Sequence, residues 1–235
     1  MADIEIRPIG QPDLELVAGA CWENRETQMR LLAEQEILGF GAWDGEQCVG
    51  QLHAYRVTLP QWDDRNFPGY GRAKPVSWPL GWPLLAAKAK GVQFAAPVWG
   101  HACFHVGFAG PKARKADRSW LGRGIGTALC RASVQWAREH DYAAVMAHGG
   151  TKVAPEYNVW MGCLPWTAYA RMGFECLAQE EDAARLPWWT SDGGASPDTL
   201  KQVREALAAG HGPKELCARL MVLRLQRMPE SAILA

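Results

Sequence analysis

Gly122-Arg123-Gly124-Ile125-Gly126-Thr127-Ala128-Leu129 is the stretch on which the reading of this chain turns. Glycine recurs at every second position just where an amphipathic helix begins, read over residues 124–140. Ile125, Leu129, Ala132 and Trp136 form its apolar stripe, and Arg131, Gln135 and Arg138 its wet face. Upstream, residues 98–108 are an apolar run that reads as a central strand. Strict alternation assigns His101, Cys103 and His105 to one face of it, and Ala102, Phe104, Val106 and Phe108 to the other. A second short apolar strand, residues 142–147, follows the helix, so the segment reads as a parallel βαβ unit. Uncommitted N–H groups at a helix N-terminus attract phosphate. Glycine lets a ligand approach the backbone without meeting a Cβ. The segment is expected to cradle a phosphorylated ligand.

The spacing narrows which one. The third glycine comes one place too early for the dinucleotide fingerprint G-x-G-x-x-G, and no acidic residue closes the next strand. No Gly-Lys-Ser/Thr follows, so the turn is not a P-loop.

Working outward, residues 4–9 read as a first strand and residues 12–35 as one or two helices. Strands at 37–43 and 48–57 flank Asp44-Gly45-Glu46, a strong hairpin signal. Residues after 147 read as a loop with Gly149 and Gly150, then a short helix over 165–171 that Gly173 ends. A strand from 174, a helix over 197–209 capped by Ser196 and a strand over 216–225 complete the pass. Two insertions, at about 58–97 and 180–214, decorate what reads as one α/β domain over residues 1–235. The first carries six prolines with Trp62, Trp78 and Trp82, and only a short helix near 84–90. It reads either as a lid over a cleft or as the cover of a sheet edge.

Composition excludes several classes. Lys plus Arg and Asp plus Glu both number 25, and zero net charge argues against a general grip on nucleic acid or an anionic membrane. No run approaches the ~20 apolar residues of a membrane span, and the first residues lack a signal-peptide core. The seven cysteines form no CxxC pair, which suits reduced thiols and a cytoplasmic location. His101-x-Cys103-x-His105 offers two imidazoles and a thiol, but with no fourth ligand nearby a metal is not expected.

Two motifs together carry a family resemblance. Leu121-Gly122-Arg123-Gly124-Ile125-Gly126 resembles the Gln/Arg-x-x-Gly-x-Gly/Ala acyl-CoA motif of the GNAT superfamily of N-acyltransferases, with Leu121 in place of Gln or Arg. Tyr169-Ala170-Arg171-Met172-Gly173-Phe174 resembles that family's Tyr-x-x-Leu-Gly-Phe. The resemblance implies an α/β fold: a mixed, mostly antiparallel central sheet with a parallel βαβ cofactor unit, flanked by helices. It implies acetyl-CoA as cosubstrate, its diphosphate on the backbone of Leu121, Gly122, Arg123, Gly124, Ile125 and Gly126, with Thr127 beside it. Pantetheine amides would pair with Val106, Gly107 and Phe108. Lys112, Arg114 and Lys115 are candidates for the 3′-phosphate, and Tyr169 takes the general-acid position. The family's asparagine about seven residues before the tyrosine falls on Gly162, with Asn158 out of register.

The implied reaction is attack of an amine on a thioester. Reaching the neutral form of a lysine-like amine at pH 7 costs about 4.6 kcal/mol, so a base or a desolvating site helps, and the resemblance also allows deprotonation through water with no single essential base. His105, Glu156 in the loop before the 165–171 helix, and His148 are the candidates. The expected activity is transfer of acetyl to a primary amine of a small molecule. Trp62, Trp78 and Trp82 either wall the acceptor site, stacking on an aromatic or cationic group, or form a small core of their own. Neither nucleic acid nor membrane is an expected partner, and a homodimeric assembly is left open. The alternative is a non-catalytic acyl-CoA-binding or interaction module of the same fold, favoured by Leu121 and Gly162.

Overall fold

A computed structural model describes residues 4–17, 25–57, 97–108, 116–179, 197–216 and 219–225. Trp62, Trp78 and Trp82, the helix near 84–90, Lys112, Arg114, Lys115 and Ser196 lie outside the described residues.

The described residues form a seven-stranded sheet in the order β1-β2-β3-β4-β5-β7-β6. The strands are β1 (Glu5–Pro8), β2 (Gly39–Asp44), β3 (Gln47–Val57), β4 (Val98–Val106), β5 (Ala144–Gly149), β6 (Glu175–Gln179) and β7 (Arg219–Arg224). Only β4 and β5 run parallel, and every other neighbouring pair is antiparallel. The Asp-Gly hairpin forms as the sequence requires: Gly45 takes the left-handed conformation, φ 57°, between β2 and β3.

A 3-10 turn, Gln11–Glu15, and α1 (Arg25–Gln35) precede β2. The crossover between β4 and β5 is α2 (Ile125–Glu139). One core lies between α2 and the sheet, where Ile125, Leu129 and Ala137 meet Phe40, Leu52, Trp99 and Val145. The other joins Leu14, Val17 and Leu31 to Trp43, Val98, Met146 and Val222 on the opposite face. Further on come α3 (Pro155–Met161), α4 (Trp166–Arg171), α5 (Pro197–Ala208) and α6 (Pro213–Leu216). The sequence reads α3 as loop. It is a two-turn helix that Pro155 starts and left-handed Gly162 ends, too short to show an apolar period. The closing strand is likewise shorter than expected at its start, where Leu216 belongs to α6.

The expected face of β4 is corrected by a bulge. His101 pairs with Ala54 on β3 and Cys103 with the adjacent His53, so Ala102 is an extra residue in β4. A bulge shifts every residue beyond it by one place. His101 therefore faces α2, while Cys103 and His105 face away from it. The His101 ring bonds Ser133 Oγ of α2 at 3.0 Å, and the Phe104 ring lies edge-on to it at 6.0 Å beyond the bulge. The three residues do not share one face.

Ser133 is fully buried and also accepts a bond from Trp99 Nε1 at 2.8 Å. Ser133→Ala leaves both buried ring nitrogens short of a partner. It is expected to lower unfolding free energy by about 1–3 kcal/mol, measured by urea denaturation; an unchanged midpoint would show that the two rings re-pair elsewhere.

Candidate acyl-donor site

The bulge sits where β4 and β5 part. Residues 98–101 pair with 144–147, and beyond them each strand continues without the other. The connection from α3 to α4 fills part of the opening. Phe104 N–H donates to Gly162 O at 2.7 Å on one side, and Gly150 N–H donates to Leu164 O at 2.8 Å on the other. Gly162 must be glycine here, since its φ is 63° and a Cβ would stand 3.0 Å from Phe104 O and 3.2 Å from Cys103 Cβ. This explains the missing asparagine of the resemblance: the position is used for close backbone approach. Asn158 is itself engaged, its Nδ2 donating to Thr151 O at 2.6 Å and its Oδ1 facing the Cys163 thiol at 3.6 Å.

Between this connection, the end of β4 and the start of α2 lies a cavity of about 540 Å³. Its floor is largely apolar, with Phe104, Val106, Ile125, Val159 and Leu164. At one end the glycine turn opens onto it. Gly122 and Gly124 hold φ of 73° and 83°, with nothing within 4 Å of where a Cβ would point. The first helical bond of α2 is Ala128 N–H to Gly124 O, which leaves the N–H groups of Ile125, Gly126 and Thr127 without a helical acceptor. These amides, at the positive end of a long helix, suit an anion. At Gly126 a Cβ would lie 2.8 Å from Leu164 Cδ2, so a bare Cα keeps this end of the cavity open.

Of the residues implied for the cofactor, Val106, Phe108, Leu121, Gly122, Gly124, Ile125, Gly126 and Thr127 line the cavity. Gly107 and Arg123 are placed differently. Gly107 ends β4 with φ 85°, donating its N–H to Val49 O and accepting from Asp117 N–H, both at 2.8 Å. Its backbone is thus already committed. The guanidinium of Arg123 lies over the ring of Trp120, 4.5 Å from its centroid.

Tyr169 lies on α4; Ala168 of this helix and its N-cap Pro165 wall the cavity, and Tyr169 itself is buried behind them rather than among the lining residues. Its ring is 1% exposed and packs on Phe174 at 5.0 Å. Burial pushes the phenol pKa well above its usual value, and the thiols of Cys130 and of cavity-lining Cys163 act in the same direction. The hydroxyl therefore stays protonated, the form that a proton donor requires.

The three base candidates are not brought together as one group. Glu156, in the first turn of α3, lines the cavity and is bonded through both carboxylate oxygens to Arg118; the Nη1–Oε2 bond is 3.0 Å. His105 Nε2 lies 2.9 Å from Cys103 Sγ, with the His53 ring edge-on at 5.7 Å. Burial, helped by His53, lowers the His105 pKa to about 3, and burial alone does the same to His101 and His148. Sequence reasoning missed the lining supplied by Arg118, Trp120, Lys152 and residues 163–165. These come from non-local packing and carry no motif. Among the described residues no group of three His, Cys, Asp or Glu is placed to hold a metal ion, and no helix is long and apolar enough to cross a membrane.

The buried histidines have a consequence for stability. Their folded pKa lies below the unfolded value near 6.5. As pH falls below 6.5 the unfolded chain takes up protons that the folded chain refuses, until about pH 3. Stability is therefore expected to be full above pH 7 and to fall by about 2 kcal/mol per histidine by pH 5. Denaturation midpoints across this range check it; a midpoint that is flat from pH 7 to pH 5 would contradict it.

A mostly antiparallel sheet, opened beside its one parallel pair and fronted by a glycine turn, defines the GNAT fold, and the chain has that fold. Among solved structures it is similar to an arylalkylamine N-acetyltransferase-like 5b from mosquito, at 12% identity over 95% of this chain and 100% of that one, with a TM-score of 0.50. It is also similar to a protein of the yellow fever mosquito provisionally assigned as arylalkylamine N-acetyltransferase 7, at 14% identity over 86% of this chain and 69% of that one, TM-score 0.50. No family model matches the chain, and no curated protein matches it in sequence.

Proposed function

We propose that the chain is an N-acetyltransferase that moves acetyl from acetyl-CoA to a primary amine of a small molecule, within one catalytic domain. The observation that carries this reading is the cavity itself. It joins a set of uncommitted helix N–H groups at one end to the helix bearing Tyr169, through an apolar passage fit for a pantetheine arm. Alternation along β4 turns the backbone of Val106 to the same side as that of Phe104, toward this passage. Val106 and Phe108, rather than Gly107, then serve the pantetheine amides.

In the reaction the amine nitrogen bonds to the thioester carbonyl carbon and the C–S bond breaks. Tyr169 gives its proton to the departing thiolate, and the second proton, shed by the nitrogen as the amide forms, restores the phenol. The ammonium must first lose its own proton. Glu156 stands in the ion pair with Arg118 beside the glycine turn, at the phosphate end of the cavity, and burial makes His105 and His148 weak bases. Desolvation lowers an amine's pKa in the same way. Loss of the proton to water on entry is therefore favoured over a single dedicated base. The assignment of the two mosquito structures as arylalkylamine N-acetyltransferases makes arylalkylamines the first acceptors to try.

The test is thiol release from acetyl-CoA in the presence of an amine panel, beside calorimetric titration with CoA. Turnover on small amines supports the proposal. A second reading, acyl-CoA binding without transfer, rests on Leu121 in the phosphate turn and on Asn158 being committed to Thr151. Binding without turnover on any amine or peptide amine would select it, and failure to bind CoA would reject both.

A further inference from the structure

The donor cavity has an ion pair across its mouth. Arg118 belongs to the 3-10 turn Arg118–Trp120, immediately ahead of the glycine turn, and Glu156 to the start of α3 on the facing wall. The two partners are held unequally. Glu156 is fixed: its side chain is 15% exposed, and its backbone N–H donates to Gln202 Oε1 of α5 at 2.8 Å. Helix α5 in turn is packed against this wall through Val203 and Ala206, beside Ala154 and Cys163. Arg118 is 62% exposed in its side chain and, among the described residues, its guanidinium bonds that carboxylate, with Asp198 of α5 adding attraction. A long side chain with a charged head in solvent re-aims easily. A phosphate settling on the N–H groups of Ile125, Gly126 and Thr127 would attract the guanidinium and repel the carboxylate.

We propose that Arg118 exchanges partners, from Glu156 in the free protein to a phosphate of the acyl-CoA donor in the complex. Glu156 is then a positioning residue, which competes with the donor for Arg118 and so sets how tightly the donor is held and how readily CoA leaves. This rests on the acyl-CoA reading above. It differs from a simple brace in sign. A brace lost from either end should loosen the wall and weaken binding. In an exchange, removing the arginine weakens the donor and removing its competitor tightens it.

The experiment is calorimetric binding of CoA, dephospho-CoA and pantetheine to the full chain and to Arg118→Gln, Arg118→Lys and Glu156→Gln. Arg118→Gln is expected to weaken CoA about tenfold, the worth of one charge-assisted bond, and Arg118→Lys to recover part of that. Glu156→Gln is expected to tighten CoA about threefold, and to do nothing in the Arg118→Gln background. Pantetheine, which has no phosphate, should respond to neither variant. Opposite shifts that persist with dephospho-CoA assign Arg118 to the diphosphate; shifts seen only with CoA assign it to the 3′-phosphate. Both variants weakening CoA together, or either shifting pantetheine as much as CoA, overturns the exchange and leaves a brace. Wild-type protein that binds no CoA overturns the donor reading and the exchange with it.

Discussion

Gly126→Val is expected to reduce CoA affinity at least about 100-fold, a loss of about 2.8 kcal/mol, while leaving the fold intact. A Cβ at this position already stands 2.8 Å from Leu164 Cδ2 and 3.9 Å from Phe104 Cδ1. A branched side chain would fill the space between the start of α2 and the α3–α4 connection, where the proposed donor would bring its diphosphate to the helix amides. The helix itself has no objection, since valine is a slightly better helix former than glycine, and the side chain that must give way is the far end of a leucine. Binding should therefore collapse with little change in thermal midpoint. The measurement is titration calorimetry beside a melting curve. Wild-type affinity in a folded Gly126→Val protein would mean that the donor does not lie along this cavity.

Tyr169→Phe should leave donor binding within a few-fold of wild type and slow acetyl transfer by about 100-fold or more, the usual size of a general-acid contribution. The ring stays, so its contact with Phe174 and its place in the core are kept. Only the hydroxyl is removed. Its chemistry is the point at issue, because burial holds the phenol protonated far into the alkaline range. Steady-state rates with a fixed amine, paired with CoA titration, separate the two effects. An unimpaired rate would take Tyr169 out of the acid role and leave it a packing residue.

The parts of the fold visible in the sequence are those set by local rules. The Asp-Gly turn, the stripe of α2 and the glycines ahead of it each depend on residues within a turn or two of one another. So does the parallel unit, since an apolar strand, a crossover helix and a second strand leave few other arrangements. What stayed hidden depends on distant partners. Nothing near Gly162 announces that its carbonyl will take the Phe104 N–H. Nothing near Glu156 announces an arginine 38 residues earlier in the chain. The cavity was legible at its glycine turn, where backbone geometry calls for glycine, and a motif marked the helix of Tyr169 that walls it. The mouth and floor were not, because lining residues such as Arg118, Val159 and Leu164 are ordinary in their own neighbourhoods. The histidine-cysteine pattern on β4 misled for the same reason. Alternation is a local rule, and a bulge breaks it by reference to the neighbouring strand.

That bulge divides β4 much as a frameshift divides a message. Upstream of Ala102 the strand is framework: Val98 and Trp99 feed the two cores, and His101 is tied to Ser133. Downstream the same polypeptide is out of phase, and its even-numbered residues Phe104 and Val106 line the cavity proposed for the donor. Substitutions in this strand change one letter at a time, and each half tolerates its own kind. Loss or gain of a single residue near Ala102 instead rewrites the whole downstream half. It would set Cys103 and His105 where the pantetheine passage needs apolar surface, and send Phe104 and Val106 to the far side. The donor passage thus depends on a length as much as on a composition.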